Sequence, residues 1–436
     1  MRQVQSWGLL YSKETSISSF NWRDERLPKL ADSKNLLPLG LARSYGDSCL
    51  NDGGVLVDAT SLNRFIEFDA ASGLLTCEGG ISFREILSLA VPRGWFLPVS
   101  PGTKFITLGG AIANDIHGKN HHRAGTFGCH VLEFELLRSN GERLTCSLAH
   151  NQELFCATIG GLGLTGLILW AKIQMKPITG SFIDLTTEPF SNIKGFFELS
   201  QTYDGKSEYT VSWLDLTARG KHLGRGIFMA GNHSQKNQTL KVFGRDPKIS
   251  VPCDAPTFLL NDFTIKEFNN TYFRKHGRAI EDKVVNYDSF FYPLDAVGNW
   301  NRLYGKPGFF QYQCVIPPKD ALENMRAILT TIGESGESSF LSVFKAFGNK
   351  ASPGLLSFPQ EGYTVAFDLP NRGNKTLALM NDLDSIVAKV GGRVYPAKDA
   401  RMSAGHFKQF FPQWKELENF RDPQFSSNFW RRVTNS

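Results

Sequence analysis

Gly160-Gly161-Leu162-Gly163-Leu164-Thr165-Gly166-Leu167-Ile168-Leu169-Trp170 is the stretch on which the fold turns. It contains Gly161-x-Gly163-x-x-Gly166, the spacing of the dinucleotide fingerprint. That fingerprint acts where it follows a strand and opens a helix, because the helix N-terminus then faces a pyrophosphate. Here the order is reversed. Residues 151–158 carry a helical pattern and precede the glycines, while the apolar run 167–175 reads as a strand and follows them. The context argues against a nicotinamide-binding Rossmann unit and leaves a glycine-rich turn that feeds a strand.

Two more polar, glycine-rich segments lie upstream. Pro38-Leu39-Gly40-Leu41-Ala42-Arg43-Ser44-Tyr45-Gly46-Asp47 permits a tight loop whose amide N–H groups converge, as in phosphate-binding nests. An ordinary surface turn would use the same residues. Pro101-Gly102-Thr103 leads into Thr107-Leu108-Gly109-Gly110 and then Asn114-Asp115-Ile116-His117-Gly118-Lys119-Asn120-His121-His122. Paired glycines let backbone approach a flat or anionic ligand. His117 and His121 would share a helix face as zinc ligands, but Gly118 and Asn120 disfavour a helix there. No Glu or Cys stands at metal-motif spacing, so no metal is assigned.

Composition sets the frame around these motifs. A chain of 436 residues exceeds one ordinary core, so two domains are expected. The hydrophobic share of 41% and the charged share of 21% are those of a globular protein. The net charge of +6 is spread without a basic run, which fits an anionic small ligand better than nucleic acid. Seven cysteines with no Cys-x-x-Cys pair speak against a disulfide framework and for reduced thiols, hence a cytoplasmic setting. No secretory leader and no run of about 18 apolar residues is read, which leaves peripheral membrane attachment open.

The local patterns are mixed α and β. Strands are expected at 55–58, 65–68 and 74–78, and a capping box at Ser82/Glu85 starts a helix that Pro92 and Gly94 end. Residues 131–137 and 143–147 read as a hairpin about Asn140-Gly141, with a type I′ turn. After residue 180, strands are expected at 209–215 and 225–230, and the span 309–396 reads β-α-β-β-α-β, the order of a ferredoxin-like unit. Residues 232–285 resist assignment and are read as loops over an active site.

Taken in order, the three glycine-rich segments resemble the FAD-binding domain of the vanillyl-alcohol-oxidase-type (PCMH-type) FAD-linked oxidases. Finer matches resemble the decaprenylphosphoryl-β-D-ribose 2′-oxidases within that family. These are Arg43-Ser-Tyr-Gly-Asp, Asp115-Ile-His-Gly-Lys-Asn-His-His, Gly163-Leu-Thr-Gly, Tyr292-Pro-Leu-Asp, Trp300-Asn-Arg, Phe310-Gln-Tyr-Gln, Phe340-Leu-x-Val-Phe-Lys-x-Phe-Gly, Leu356-Ser-Phe-Pro and Tyr395-x-Ala-Lys398-Asp-x-Arg. The resemblance runs from about residue 35 to the C-terminus. It implies a two-domain α+β fold with a PCMH-type FAD domain at 1–179, a ferredoxin-like antiparallel-sheet substrate domain at 180–392, and a segment at 393–436 that returns to the FAD domain.

The resemblance also implies the site. FAD would be held by Gly40, Leu41, Ala42, Arg43, Ser44, Tyr45, Gly46, Gly102, Thr107, Leu108, Gly109, Gly110, Asn114, Asp115, Ile116, His117, Gly163, Ile168 and Tyr395. Arg43 stands where many relatives carry the flavin-linking His, so the FAD would be non-covalent. Substrate would meet Trp213, Tyr292, Gln311, Gln313, Lys345 and Lys398, with Lys398 and His117 at the reacting centre. Read without the resemblance, Gln311 and Gln313 suit solvent-facing strand positions, Trp213 suits a core, and Lys398 suits a salt bridge to Asp399. Lys398 serves either as a charge that stabilises an alkoxide or, if its pKa is lowered, as the base; the charged role is preferred.

The activity implied is oxidation of the 2′-hydroxyl of a polyprenyl-phosphate pentose to a keto sugar, the first half of an epimerisation in envelope-glycan synthesis. A separate NAD(P)H-dependent short-chain reductase would complete it, with a quinone or O2 re-oxidising the flavin. Rival readings are an oxidase of a soluble sugar, alditol or sugar lactone, a non-catalytic flavin or lipid-phosphate binding protein, and a zinc hydrolase.

Overall fold

The structure is a computed structural model that describes residues 3–30, 34–244, 246, 247, 249–277 and 279–434. The first part is built on two small sheets. Ser16–Ser19, Val55–Asp58 and Leu36–Leu39 pair in parallel, with Val55–Asp58 central. Phe65–Asp69, Leu74–Glu78, Leu167–Gln174, Val131–Leu137 and Arg143–Ser147 form an antiparallel sheet in that order. The helix Phe83–Ala90 starts at the expected capping box, where the Ser82 hydroxyl accepts from the Glu85 N–H. It presents Phe83, Ile86 and Leu87 to a core that includes Phe134, Phe155 and Ala171.

The hairpin forms with the expected strands but a different turn. Type I′ needs φ > 0 at both central residues. Only Gly141 is left-handed (φ +88°), and Gly141 N–H bonds to the Arg138 carbonyl. The connection is therefore a turn closed by a left-handed glycine, which leaves Arg138 free to reach the Thr165 and Phe420 carbonyls. The glycine-rich turn at 160–166 is followed by the strand Leu167–Gln174, in the context that excludes the nucleotide fingerprint. Its glycines serve close packing. A Cβ at Gly161 would lie 2.1 Å from the Ala157 carbonyl oxygen, and Gly163 holds φ +76°.

Beyond residue 180 the chain builds one eight-stranded antiparallel sheet. Its strands are β1 (Phe182–Phe190), β2 (Tyr209–Leu214), β3 (Gly226–His233), β4 (Glu281–Asn286), β5 (Phe309–Ile316), β6 (Ser342–Phe347), β7 (Gly362–Pro370) and β8 (Arg393–Val394). The spatial order is β4-β1-β3-β2-β6-β7-β5-β8. The helices are α1 (Ile193–Asp204), α2 (Asp262–His276), α3 (Ala321–Ser335) and α4 (Asn374–Lys389). Each half thus runs β-α-β-β-α-β with the same strand order, and the halves meet through their second strands at Ser212 and Phe344. The sequence reading found this element order only in the second half and found no repeat.

Strand alternation separates two faces. Phe310, Tyr312 and Cys314 on β5, and Val365 and Phe367 on β7, pack with Phe196 of α1, Ile328 of α3 and Leu383 of α4. The intervening residues face the other way, toward the first part of the chain. Helix α2 breaks the internal similarity: it lies on this second face, with Tyr272 against the Trp213 ring at 4.7 Å. The region 232–285, expected as loops, therefore holds a 15-residue helix. Pattern analysis misses it because α2 buries only Ile265 and Asn269 and so has almost no apolar stripe.

The C-terminal helices Ala404–Phe410, Trp414–Phe420 and Asn428–Thr434 pack back on the start of the chain. Leu36 pairs with Phe425, and the Arg432 guanidinium spans Asp47 at 2.8 Å and Asp399 at 3.0 Å. All seven cysteines are free thiols. No helix among the described residues is long and apolar enough to cross a membrane.

Candidate functional site

A cavity of about 1080 Å³ lies between the glycine-rich loops and the second face of the large sheet. That exceeds the roughly 300–1,000 Å³ usual for a single small ligand. Its loop side is lined by residues 40–45, by Gly102, Thr107, Gly109, Gly110, Asn114, Ile116 and His117, and by Gly163 and Ile168. Its sheet side is lined by Trp213, Gln311, Gln313 and Lys345, with Tyr395 and Lys398 entering beyond β8. The loop at 38–47 is thus a wall of the cavity, and Gln311 and Gln313 are buried in it with no solvent-facing role.

Local structure explains how the loops hold this shape. Ala42 is left-handed at φ +50° and folds the first loop back on itself. Gly40 faces Thr107 so closely that a Cβ would fall 2.4 Å from its hydroxyl oxygen. Thr107 caps the short helix Leu108–Ala113, accepting from Gly110 N–H. The Tyr395 hydroxyl donates to the Asn114 carbonyl at 3.0 Å, joining the C-terminal segment to the second loop. The Arg43 guanidinium lies over the Trp7 ring at 4.1 Å and bonds the Phe105 carbonyl at 3.2 Å.

Four residues expected in the site stand behind its lining. Gly46 is needed for packing, since a Cβ there would lie 1.6 Å from the Asp399 carbonyl oxygen. Leu108 is fully buried and donates its N–H to Ile81. Asp115 accepts from the Ser352 and Ser357 hydroxyls at 2.5 Å each and from Gly128 N–H at 2.8 Å, which pins the histidine segment to residues 352–357. Tyr292 is buried and shares a hydrogen bond with the Ser100 hydroxyl.

The polar centre joins elements distant in sequence. Lys345 Nζ donates to His117 Nδ1 at 3.2 Å, and the Gln313 amide lies 3.0 Å from His117 Nε2. A ring that accepts at Nδ1 carries its proton on Nε2, so the Gln313 oxygen, otherwise unpartnered, belongs opposite Nε2. Gln313 also bonds Thr364 at 3.0 Å. Burial, with Lys345 and Lys398 nearby, holds the His117 pKa well below its ordinary value, so the ring is neutral at neutral pH. Burial, with the charges of Lys398 and Lys119, brings Lys345 down to about 7. Burial alone brings Lys119 to about 7, with its amine on the Phe290 carbonyl.

Lys398 Nζ makes no hydrogen bond or ion pair among the described residues and lies 5.6 Å from the Tyr45 ring centre. Burial lowers its pKa, and Asp368 opposes that shift. Asp368 is itself buried behind Gln311. It accepts from Gln311 Nε2 at 2.5 Å and from the Tyr304 hydroxyl at 3.2 Å, and burial raises its pKa. The alternative pairing of Lys398 with Asp399 does not form, because Asp399 faces Arg432 at 3.0 Å and Arg401 at 3.7 Å.

Lys119, Thr364 and Asp368 were not picked out from sequence. Lys119 sits inside the quoted histidine motif, which was the available signal; β-strand alternation places Thr364 and Asp368 on the face of Gln311 and Gln313 only once β7 is paired with β5. Trp213 is a cavity wall whose Nε1–H donates to the Phe340 carbonyl at 3.1 Å. The histidines do not converge as ligands. His121 stacks on Phe347 at 4.2 Å, His122 bonds the Ser207 carbonyl at 3.1 Å, and no three His, Cys, Asp or Glu side chains among the described residues are placed to hold a metal.

Comparison with known proteins agrees with this arrangement. Residues 28–147 match the FAD binding domain family. The chain is 36% identical over 414 residues to a decaprenylphosphoryl-β-D-ribose oxidase of Mycolicibacterium smegmatis, covering 92% of this chain and 89% of that protein. It is 30% identical over 369 residues to an uncharacterized protein in the mprA 5′ region of Streptomyces coelicolor, covering 81% of this chain and all of that one. A cytokinin dehydrogenase of Oryza sativa matches at 30% over 146 residues, 32% of this chain and 27% of that protein. The glycine loops wall a space that admits a dinucleotide beside a second ligand, and the opposite wall carries neutral His117 and three buried lysines. By homology over nearly its whole length, the chain belongs to the FAD-dependent oxidase family of the decaprenylphosphoryl-β-D-ribose oxidases.

Proposed function

We propose that this protein oxidises the 2′-hydroxyl of a polyprenyl-phosphate pentose, such as decaprenylphosphoryl ribose, to the 2′-keto sugar. The observation that carries the reading is the convergence of Lys119, Lys345, Lys398, Gln311, Gln313 and His117 on one end of a cavity whose remaining sheet wall is apolar. Amides that donate and accept match sugar hydroxyls. Lysines match a phosphate. Trp213, Val343 and Phe340 match the lipid that follows it.

FAD fits the loop side of the cavity, where Gly40–Tyr45, Gly102, Gly109, Gly110, Asn114 and Gly163 would hold it, and when bound it supplies the acceptor for the hydride leaving the carbinol carbon. Arg43 stands in the position of the linking His of many relatives and offers no nucleophile, so the cofactor is non-covalent. Gln311 and Gln313 orient the sugar. His117, neutral and fixed by Lys345 and Gln313, sets the ring of polar groups around it. Lys398 Nζ, free of protein partners, either stabilises the developing alkoxide as a cation or takes the hydroxyl proton as an amine.

The domains are 1–179 for FAD, 180–392 for substrate, and 393–436 returning to the first. Strand order within each half of the large sheet supports a ferredoxin-like reading for that domain. We place the enzyme in the cytoplasm or at its membrane surface, with a separate NAD(P)H-dependent reductase consuming the keto sugar and a quinone or O2 taking electrons. Anaerobic mixing of the purified flavoprotein with polyprenylphosphoryl ribose tests the reading: the visible flavin absorption bleaches. Bleaching by soluble sugars or alditols alone would overturn it in favour of a soluble-sugar oxidase.

A further inference from the structure

The mouth of the cavity carries an apolar and basic surface that the reaction chemistry does not use. Pro247, Ser250, Phe268, Lys283 and Asn299 both line the cavity and are exposed, so they mark where it opens. Around them, Ile249 and Phe258 are each 70% exposed, Phe263 72% and Ile280 59%. These chains come from four separate stretches: the short strand Ile249–Ser250, the turn Thr257–Leu260, helix α2 and the lead into β4. Helix α2 turns Phe263 outward while burying only Ile265 and Asn269. Scattered single apolar residues are ordinary, but large ones gathered at a cavity mouth mark a surface that another phase covers.

Charge selects the occupant. Residues 236–283 hold nine basic side chains against six acidic ones, half of the net +6 of the whole chain. Lys236, Lys241, Lys266, Arg274, Lys275 and Lys283 are exposed. Two copies of such a face repel each other, whereas an anionic lipid surface attracts it while its acyl region takes up the aromatic chains.

We infer that the rim formed by residues 246–303 is a membrane-docking surface that seats on an anionic bilayer. Seated there, the cavity opens directly toward lipid. Its purpose rests on the lipid-linked substrate proposed above, but the docking itself does not. The test is co-sedimentation of the holoenzyme with phosphatidylglycerol/phosphatidylcholine vesicles, without substrate. Wild type should pellet with these vesicles, release on raising salt, and ignore pure phosphatidylcholine. The double variant Phe258→Ser/Phe263→Ser should bind at least about tenfold more weakly, as expected when the apolar contribution to interfacial anchoring is removed. Leu148→Ser, at a 60% exposed site in the FAD domain, should bind as wild type. Flavin reduction by a short-chain, water-soluble prenylphosphoryl ribose should be unchanged in the double variant. No vesicle binding by wild type, equal binding by the double variant, or wild-type dimerisation that the double variant abolishes would overturn the inference. Vesicle binding without flavin reduction by any lipid-linked sugar would leave docking standing and refute the substrate reading instead.

Discussion

Lys398→Ala should abolish most flavin reduction while leaving the fold and the bound flavin intact. The structure sets the size of both effects. Lys398 Nζ has no hydrogen bond or ion pair among the described residues, so truncation breaks no structural contact. Its charged neighbour, Asp368, keeps the hydrogen bonds from Gln311 and Tyr304 and can take up a proton, because burial already raises its pKa. On the reaction, a unit charge about 4 Å from a developing alkoxide is worth about 4 kcal/mol at an effective dielectric of about 20. Loss of one preorganised group of this kind costs about 10²–10³ in rate, or about 2.7–4 kcal/mol. The assay is anaerobic stopped-flow bleaching of the flavin under saturating substrate. Lys398→Arg separates the two roles: guanidinium keeps the charge but does not deprotonate. Partial recovery in the arginine variant is expected, since Asp368 favours the charged lysine. An arginine variant as inactive as alanine would assign Lys398 as the base. Near-normal reduction in Lys398→Ala would refute both roles and move attention to His117.

Asp368→Asn removes the carboxylate that raises the Lys398 pKa, so Lys398 should lose its proton at lower pH than in wild type and the alkaline limb of the reduction rate should move down in pH; an unmoved limb would show that the pair is not linked. Lys345→Met should raise stability by about 1–3 kcal/mol near pH 7, because a buried cation gives way to an apolar chain, while weakening substrate binding. Lys345 titrates near 7 in the fold against an ordinary 10.5, so the unfolded chain holds more protons between those values. The cost of its burial is then full below about pH 7 and fades toward pH 10.5, and the gap between variant and wild type in denaturant melts should close over that window. Gly163→Val places a β-branched residue at φ +76° and should lower flavin occupancy, measured as the visible-to-280 nm absorbance ratio; unchanged occupancy would remove this turn from the flavin site. Acid precipitation should leave the flavin in the supernatant, and colour in the pellet would show a covalent link despite Arg43.

Much of the second half-sheet was legible because its signals are local. β5 and β7 alternate, α3 and α4 show apolar periodicity, and short turns separate them. The first half has the same element order but sends α2 across to the cavity side, where it buries two residues and keeps no amphipathic stripe. A repeat carried by topology alone leaves no trace in residue identity. The hairpin turn was misread for a related reason: Asn140-Gly141 permits type I′, but Arg138 is drawn out of the ladder by the Thr165 and Phe420 carbonyls, contacts no local rule contains.

The site divides along the same line. Glycines, the Arg43 substitution and the order of the motifs are properties of the chain itself, and they determined that this is a flavin-binding oxidase with a loop-built cofactor wall. Whether a named side chain faces the cavity depends on strand pairing and register. Gln313 meets His117 across 196 positions and Lys345 meets the same ring across 228, while Asp115 and Tyr292, quoted in equally specific motifs, turn away to Ser352, Ser357 and Ser100. Spacing along a chain states which groups are available. Only the tertiary structure brings Lys119, Lys345 and Lys398 into one water-poor pocket, and it is that shared burial, with each charge acting on the others, that shifts their proton affinities toward neutrality.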